Sequence, residues 1–293
     1  MEISHGDYLR FRGFDLLVIG HNQRGGIRCL PFYWNGTKLP KKKRDPANYP
    51  ELSDRTRVDE NFRHKYVFLE ESETAEVLMP EECLERLLSK RKPNKAEQTA
   101  IDLTNFFMDE AGVGRGEMGI CGSVQLGKEK VGDIDFGVFG YEASRRAMDS
   151  VRSSSRFDFP LSKLCSKKTY MDPLIPVTKE RYPTYALFEG MLVDMLYKHG
   201  RIRLENEDVK YVGEWKTTLT ITGAGRRLFL PMIYQSETPD GEEVEILSYA
   251  WYMAFLEGDT IDFDGKLLER NGKKVAGVFN PNVEKMKVIV PKK

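Results

Sequence analysis

Two carboxylates separated by a single residue, Asp133 and Asp135, stand among the apolar residues Ile134, Phe136, Val138 and Phe139. Such alternation predicts a strand, on which every second side chain shares a face, so the two acids point one way and Ile134 and Phe136 enter a core. Two carboxylates a few ångströms apart repel each other and shift each other's pKa unless a cation lies between them. Hard oxygen donors of this kind suit Mg²⁺, with Mn²⁺ as a substitute, and Mg²⁺ keeps waters and binds substrate phosphates. Just upstream, a short apolar stretch ends in Gly122-Ser123. The glycine lets backbone approach a ligand closely, while the Ser123 hydroxyl and the N–H groups of a following helix N-terminus offer donors to phosphate oxygens. A third acid, Asp194, sits in the middle of the apolar run 191–197, where a buried carboxylate with neither partner nor metal is costly. The chemistry these residues suggest is the binding of a divalent cation together with phosphate.

The elements that must position them are readable around the motif. A helix is predicted from Pro80, with Glu81 and Glu82 near its positive end and Cys83, Leu84, Leu87 and Leu88 on one face. A second, amphipathic helix carries Ala100, Leu103, Phe107 and Ala111, and Gly112, Gly114 and Gly116 end it. Before these helices, residues 8–11, 16–21, 27–34, 66–69 and 75–78 read as a small antiparallel sheet. Segment 38–61, with Pro40, Pro46, Pro50 and the run Lys41-Lys42-Lys43-Arg44, reads as a mobile loop whose charges are solvated, the alternative being an arm that grips phosphate. After residue 208 strands return at 209–212, 217–222, 228–234, 244–247, 250–256, 261–270 and 274–279, the last two split by Asn271-Gly272, a strong hairpin signal. Gly223 to Arg227 reads as a glycine turn carrying two cations, and Gly258-Asp259 faintly echoes Gly6-Asp7. The pattern predicts an α+β protein with a β-rich region at 1–92, an α/β core at 93–208 and a small β-barrel at 209–293.

Forty-five Lys and Arg balance forty-five Asp and Glu over 293 residues, so no global basic excess drives nucleic-acid binding. The apolar runs fall short of the roughly 20 residues that span a bilayer, and the N-terminus shows no secretory pattern. A cytoplasmic protein with no membrane association is the expectation. Cys29, Cys83, Cys121 and Cys165 lie at least 38 residues apart and read as buried reduced thiols, and the four histidines show no metal-like spacing.

Gly122-Ser123, nine intervening residues, Asp133-Ile134-Asp135-Phe136 and a later Asp194 together resemble the signature of the DNA polymerase beta-like nucleotidyltransferase superfamily. The resemblance covers about residues 95–200. More narrowly, the chain is similar to archaeal stand-alone nucleotidyltransferase-domain proteins, in residues 63–66 and 77–80 before the core and in Gly258-Asp259 and residues 265–269 near the end. The resemblance implies that Asp133 and Asp135 hold the metal bound to a nucleoside triphosphate and share a second metal with Asp194, which also orients or helps deprotonate an acceptor hydroxyl. It further implies that Gly122 and Ser123 bind the β- and γ-phosphates. Lys128 and Lys130, in the spacer, are candidates to neutralise phosphate charge or are simply solvated, and Lys198, Arg201 and Arg203 are placed to flank the cleft. The function implied is Mg²⁺-dependent transfer of a nucleoside monophosphate to an acceptor hydroxyl, with an NTP substrate and nucleic acid as the leading acceptor. The alternative is a catalytically silent module that binds nucleotide or RNA with the same fold.

Overall fold

The computed structural model describes residues 3, 6–21, 26–60, 62–73, 76–128, 131–159, 184–198, 209–226, 232–248, 255–278 and 285–290. Lys130, Arg201, Arg203, Cys165, His5 and His199 lie outside them, as do residues 250–254 of one expected strand.

Strands β1 (Tyr8–Phe11), β2 (Phe14–His21), β3 (Ile27–Trp34), β4 (Thr37–Lys38), β5 (Thr56–Val58), β6 (Lys65–Leu69) and β7 (Glu76–Leu78) form one sheet in the order β5-β6-β3-β2-β1-β7, with β4 on β3. All its pairings are antiparallel, as the sequence predicts. Leu9, Phe14, Leu16, Val18, Cys29 and Val67 fill its core. The expected loop at 38–61 is instead wound into three 3₁₀ helices, Lys41–Lys43, Pro46–Asn48 and Pro50–Arg55. Pro46 and Pro50 open two of these turns rather than breaking structure, and the Asp45 carboxylate caps one by accepting from the Ala47 N–H at 2.9 Å. Leu39, Tyr49 and Leu52 anchor the segment in the core. They are spaced too irregularly to show as a hydrophobic period.

Helix α1 (Pro80–Leu88) starts at its proline and buries Cys83, Leu84 and Leu87. Helix α2 (Lys95–Ala111) opens on a capping box between Asn94 and Glu97 and ends at Gly112, whose φ of 58° is the left-handed conformation that a helix C-terminus uses. Next come β8 (Met118–Cys121), the single turn α3 (Gly122–Gln125), β9 (Ile134–Phe139), α4 (Tyr141–Ser153), β10 (Phe157–Asp158), β11 (Tyr185–Phe188) and β12 (Met191–Lys198). Their sheet runs β10-β11-β12-β9-β8, with β12 and β9 parallel and the other pairs antiparallel. Ile134, Phe136, Val138, Val193, Met195 and Tyr197 share one core with residues of α2 and α4, so the helices cover one face of this mixed sheet. Helix α4 was not among the sequence-predicted elements, although Ala143, Ala147, Met148 and Val151 carry the helical spacing.

The last sheet contains β13 (Val209–Arg226), β14 (Met232–Glu237), β15 (Glu243–Ser248), β16 (Thr260–Arg270), β17 (Lys273–Val278) and β18 (Lys285–Val290). Its order is β13-β14-β15-β17-β16-β18, and β16 also pairs with β13, so the pairings of five strands return to their start. Asn271 and Gly272, both at positive φ, turn the β16–β17 hairpin as the sequence predicts. Two strands expected at 209–212 and 217–222 are one strand of 18 residues. Gly223 and Gly225 lie inside it at shifts of register rather than in a turn. Among the described residues, no helix is long and apolar enough to cross a membrane.

Candidate functional site

The register of the central sheet places four ionisable side chains, a thiol, two carboxylates and a phenol, side by side. Cys121 on β8 is opposite Asp135 on β9, Asp135 is opposite Asp194 on β12, and Asp194 is opposite Tyr185 on β11. Partners in register share a face, and here it is the face away from α2 and α4, since the alternate residues Ile134, Phe136, Val193 and Met195 belong to the helix-side core. Asp135 and Asp194 are therefore neighbours, about 4.8 Å apart in the sheet direction. Tyr185 donates its hydroxyl to Oδ2 of Asp194, which is 8% exposed, and so fixes the orientation of that carboxylate.

Gly122 opens the turn after β8 with a φ of 63°. A Cβ there would lie 1.8 Å from Oδ2 of Asp135 and 2.7 Å from its Cγ. The carboxylate thus rests directly on the glycine, in space that any larger residue would fill. Ser123, 5% exposed, follows it. The helix starting here is one turn long, so the dipole of an extended helix contributes little, and the donors are the Ser123 hydroxyl and local N–H groups.

Asp133 stands one residue before β9, in a bend and half-buried, rather than at an alternate strand position as the spacing suggests. Among the described residues, no three His, Cys, Asp or Glu side chains gather into a ready-made metal group. The donor set nevertheless fits Mg²⁺ or Mn²⁺. Asp135 and Asp194 supply hard oxygens from adjacent strands, with Asp133 two residues from the first, and Mg²⁺ is commonly held by one or two carboxylates with waters and substrate phosphates completing its shell.

No protein-family model, curated protein or solved structure matches this chain. What the site can do is therefore argued from its own residues.

Sequence reasoning missed the residues that reach the site from the first sheet. Tyr33 and Asp15 face each other across β3 and β2. The Tyr33 hydroxyl is 3.0 Å from the Ser123 Oγ. Lys128 lies with Nζ 4.5 Å from the Tyr33 ring centroid and 3.5 Å from Oδ2 of Asp15, so this spacer lysine is docked rather than solvated. Tyr8 and Tyr33 pack on Leu126, and burial, reinforced by the nearby Asp135 carboxylate, raises the Tyr8 phenol well above its ordinary value. Lys198, the last residue of β12, is 4% exposed, with Nζ 5.2 Å from the Phe139 ring centroid. Its positive charge opposes the effect of burial on Cys121, whose thiol is still pushed up to about 12. No spacing rule marks Tyr8, Tyr33 or Tyr185 as site residues. Tyr8 and Tyr33 reach the site by side-chain packing between the two sheets, and Tyr185 by its register with Asp194 on the next strand.

Proposed function

We propose that residues 93–208 are the catalytic core of a nucleotidyltransferase, which moves a nucleoside monophosphate from an NTP to an acceptor hydroxyl. The observation that carries this reading is the adjacency of Asp135 and Asp194 in a row that rests on Gly122. Two neighbouring buried or half-buried acids are costly unless a cation and its phosphate ligand complete the site. Bound Mg²⁺ supplies Lewis-acid charge to the phosphoryl oxygens and lowers the barrier to in-line displacement.

The chain's own residues do the rest. Asp133 and Asp135, with Asp194, would hold the Mg²⁺ that the nucleotide's phosphates carry, Gly122 admits those phosphates close to the backbone, and the Ser123 hydroxyl donates to one of their oxygens. Asp194, its rotamer held by Tyr185, accepts the proton of the acceptor hydroxyl. The acceptor oxygen then bonds to the α-phosphorus, the bond from that phosphorus to the bridging oxygen breaks, and pyrophosphate leaves. Acceptor choice falls to the flanking β units, with nucleic acid as the leading candidate, and the return of the last sheet's pairings through five strands supports reading that unit as a small barrel. Cytoplasmic residence accompanies this reading.

The test is isothermal titration of the four NTPs, with and without Mg²⁺, into the wild type and into Asp133→Ala/Asp135→Ala. Metal-dependent binding that the variant loses supports the site, and labelled-NMP incorporation then identifies the acceptor. Absence of binding for every NTP sinks the enzyme reading.

A further inference from the structure

Arg44 ends the basic run Lys41-Lys42-Lys43-Arg44, which the sequence allows to be either solvated charges on a loop or a phosphate-gripping arm. It is half-buried and held in place: its guanidinium carbon lies 3.6 Å from the Phe32 ring centroid, and Nε donates to the Leu39 carbonyl at 3.1 Å. Among the described residues it forms no ion pair with a carboxylate. Its ionisable neighbours are Tyr8 and Tyr33, and partial burial lowers its pKa while those two phenols act the other way. Those two phenols lead to the site, since the Tyr33 hydroxyl touches Ser123 and Tyr8 lies within electrostatic reach of Asp135. Lys128 covers the ring of Tyr33, and its one ion-pair partner among the described residues is Asp15.

We propose that Arg44, together with Lys128, forms a phosphate-chain subsite, so that the first sheet closes over the Gly122–Ser123 turn and holds the polyphosphate tail of the nucleotide. The proposal rests on the reading of that turn as a nucleotide site. An Arg fork matches phosphate oxygens in two-pronged geometry, while Lys128 contributes a point charge. A guanidinium already stacked on Phe32 and tied to the Leu39 carbonyl loses little freedom when an anion arrives. A phosphodiester backbone presents the same oxygens, so the two sources must be separated by experiment.

Tripolyphosphate, ATP with Mg²⁺, AMP with Mg²⁺ and a 12-nucleotide single strand are titrated into the full chain as wild type, Arg44→Gln, Arg44→Lys, Lys128→Gln and Asp135→Asn. Thermal unfolding of each variant confirms that it is folded. Expected is a loss of about tenfold or more in tripolyphosphate and ATP affinity for Arg44→Gln, a smaller loss for Arg44→Lys, and AMP binding within about twofold of the wild type. Unchanged ATP and tripolyphosphate affinity in Arg44→Gln overturns the subsite, as does an equal loss for AMP. A loss confined to the oligonucleotide overturns the assignment to the nucleotide tail. Arg44-dependent tripolyphosphate binding alongside Mg·ATP binding that ignores Asp135→Asn keeps the subsite and removes the catalytic reading.

Discussion

The phenol of Tyr33 meets the hydroxyl of Ser123 at 3.0 Å, across the boundary between the first sheet and the central one. With Tyr33 as donor, the proton of Ser123 is left to point at a phosphate oxygen. Tyr33→Phe keeps the ring under Lys128 and removes only this constraint. A hydrogen bond between neutral groups is worth about 0.5–1.5 kcal/mol, so NTP affinity should fall about 2- to 10-fold in a titration with Mg²⁺. Affinity equal to or above that of the wild type would show that Tyr33 competes with phosphate for Ser123.

Gly122→Ala probes the contact between the turn and Asp135. The new methyl group meets Oδ2 of Asp135 at 1.8 Å and must sit at a φ of 63°, a conformation that only glycine adopts without cost. The carboxylate is the movable partner, so the chain folds with Asp135 displaced. Misplacement of about 1 Å costs roughly 100-fold in turnover, and that is the size of loss expected in labelled-NMP incorporation. Circular dichroism that remains wild-type while activity is unchanged would remove Asp135 from the site.

How much of the site is legible in the sequence follows from where each signal lies in the chain. Gly122, Ser123, Asp135 and Asp194 sit in apolar runs whose strand period is local, so their type and relative order were readable, and Ile134 and Phe136 are buried as that period requires. The hairpin at Asn271-Gly272 is local in the same way. Gly6-Asp7 and Gly258-Asp259, a faint echo in sequence, form the same device. The Gly6 N–H donates to the Val18 carbonyl and the Val18 N–H to that of Asp7, both at 2.9 Å. Gly258 and Asp259 do likewise with Ile221, both at 2.8 Å. Tyr33 and Tyr8 give no sign in the sequence, because they approach Ser123 and Asp135 only where side chains of the first sheet pack on the central one, across 90 residues of chain for Tyr33 and Ser123, while Arg44 shows only as one charge of the basic run. Tyr185 was hidden because only its register with Asp194 gives it meaning.

Tyr185→Phe tests that register. The phenol donates to a buried carboxylate, the kind of bond whose loss costs about 1.5–3 kcal/mol. Removing the group that orients a metal-binding acid typically lowers metal affinity or activity 10- to 100-fold. The Mg²⁺ concentration giving half-maximal incorporation should rise accordingly. A variant with the wild-type Mg²⁺ dependence would leave Tyr185 a purely structural residue.

The first sheet has its own buried ion pair, Arg28 with Asp59 at 2.9 Å, with side chains 0% and 2% exposed. Phe62 lies under the guanidinium at 4.0 Å, and its N–H donates to Asp59 Oδ1 at 2.8 Å. Asp59→Ala leaves a buried cation without its carboxylate, which costs about 3–5 kcal/mol. Urea denaturation followed by tyrosine and tryptophan fluorescence should register that loss, and a change below about 1 kcal/mol would mean that Arg28 finds another counter-charge.

The buried thiols set a limit to stability at high pH. Burial pushes Cys83 from its ordinary 9.0 to about 11 and Cys121 from 9.0 to about 12, with Arg86 and Lys198 respectively acting the other way. Below pH 9 both thiols are protonated in the folded and the unfolded chain, and their full contribution is present. Between pH 9 and about 11 the unfolded chain releases protons that the folded chain retains, so the unfolded state gains and stability falls as pH rises. Each thiol adds on the order of 1 kcal/mol per pH unit to that decline. Urea midpoints measured from pH 8 to 10.5 should therefore fall less steeply in Cys83→Ala/Cys121→Ala than in the wild type, whatever the offset that the vacated volume imposes at pH 8. Parallel slopes would mean that both thiols ionise as readily in the folded chain as in the unfolded one. Iodoacetamide at pH 8, followed by peptide mass spectrometry, gives a second reading: both residues should be labelled in urea and spared without it.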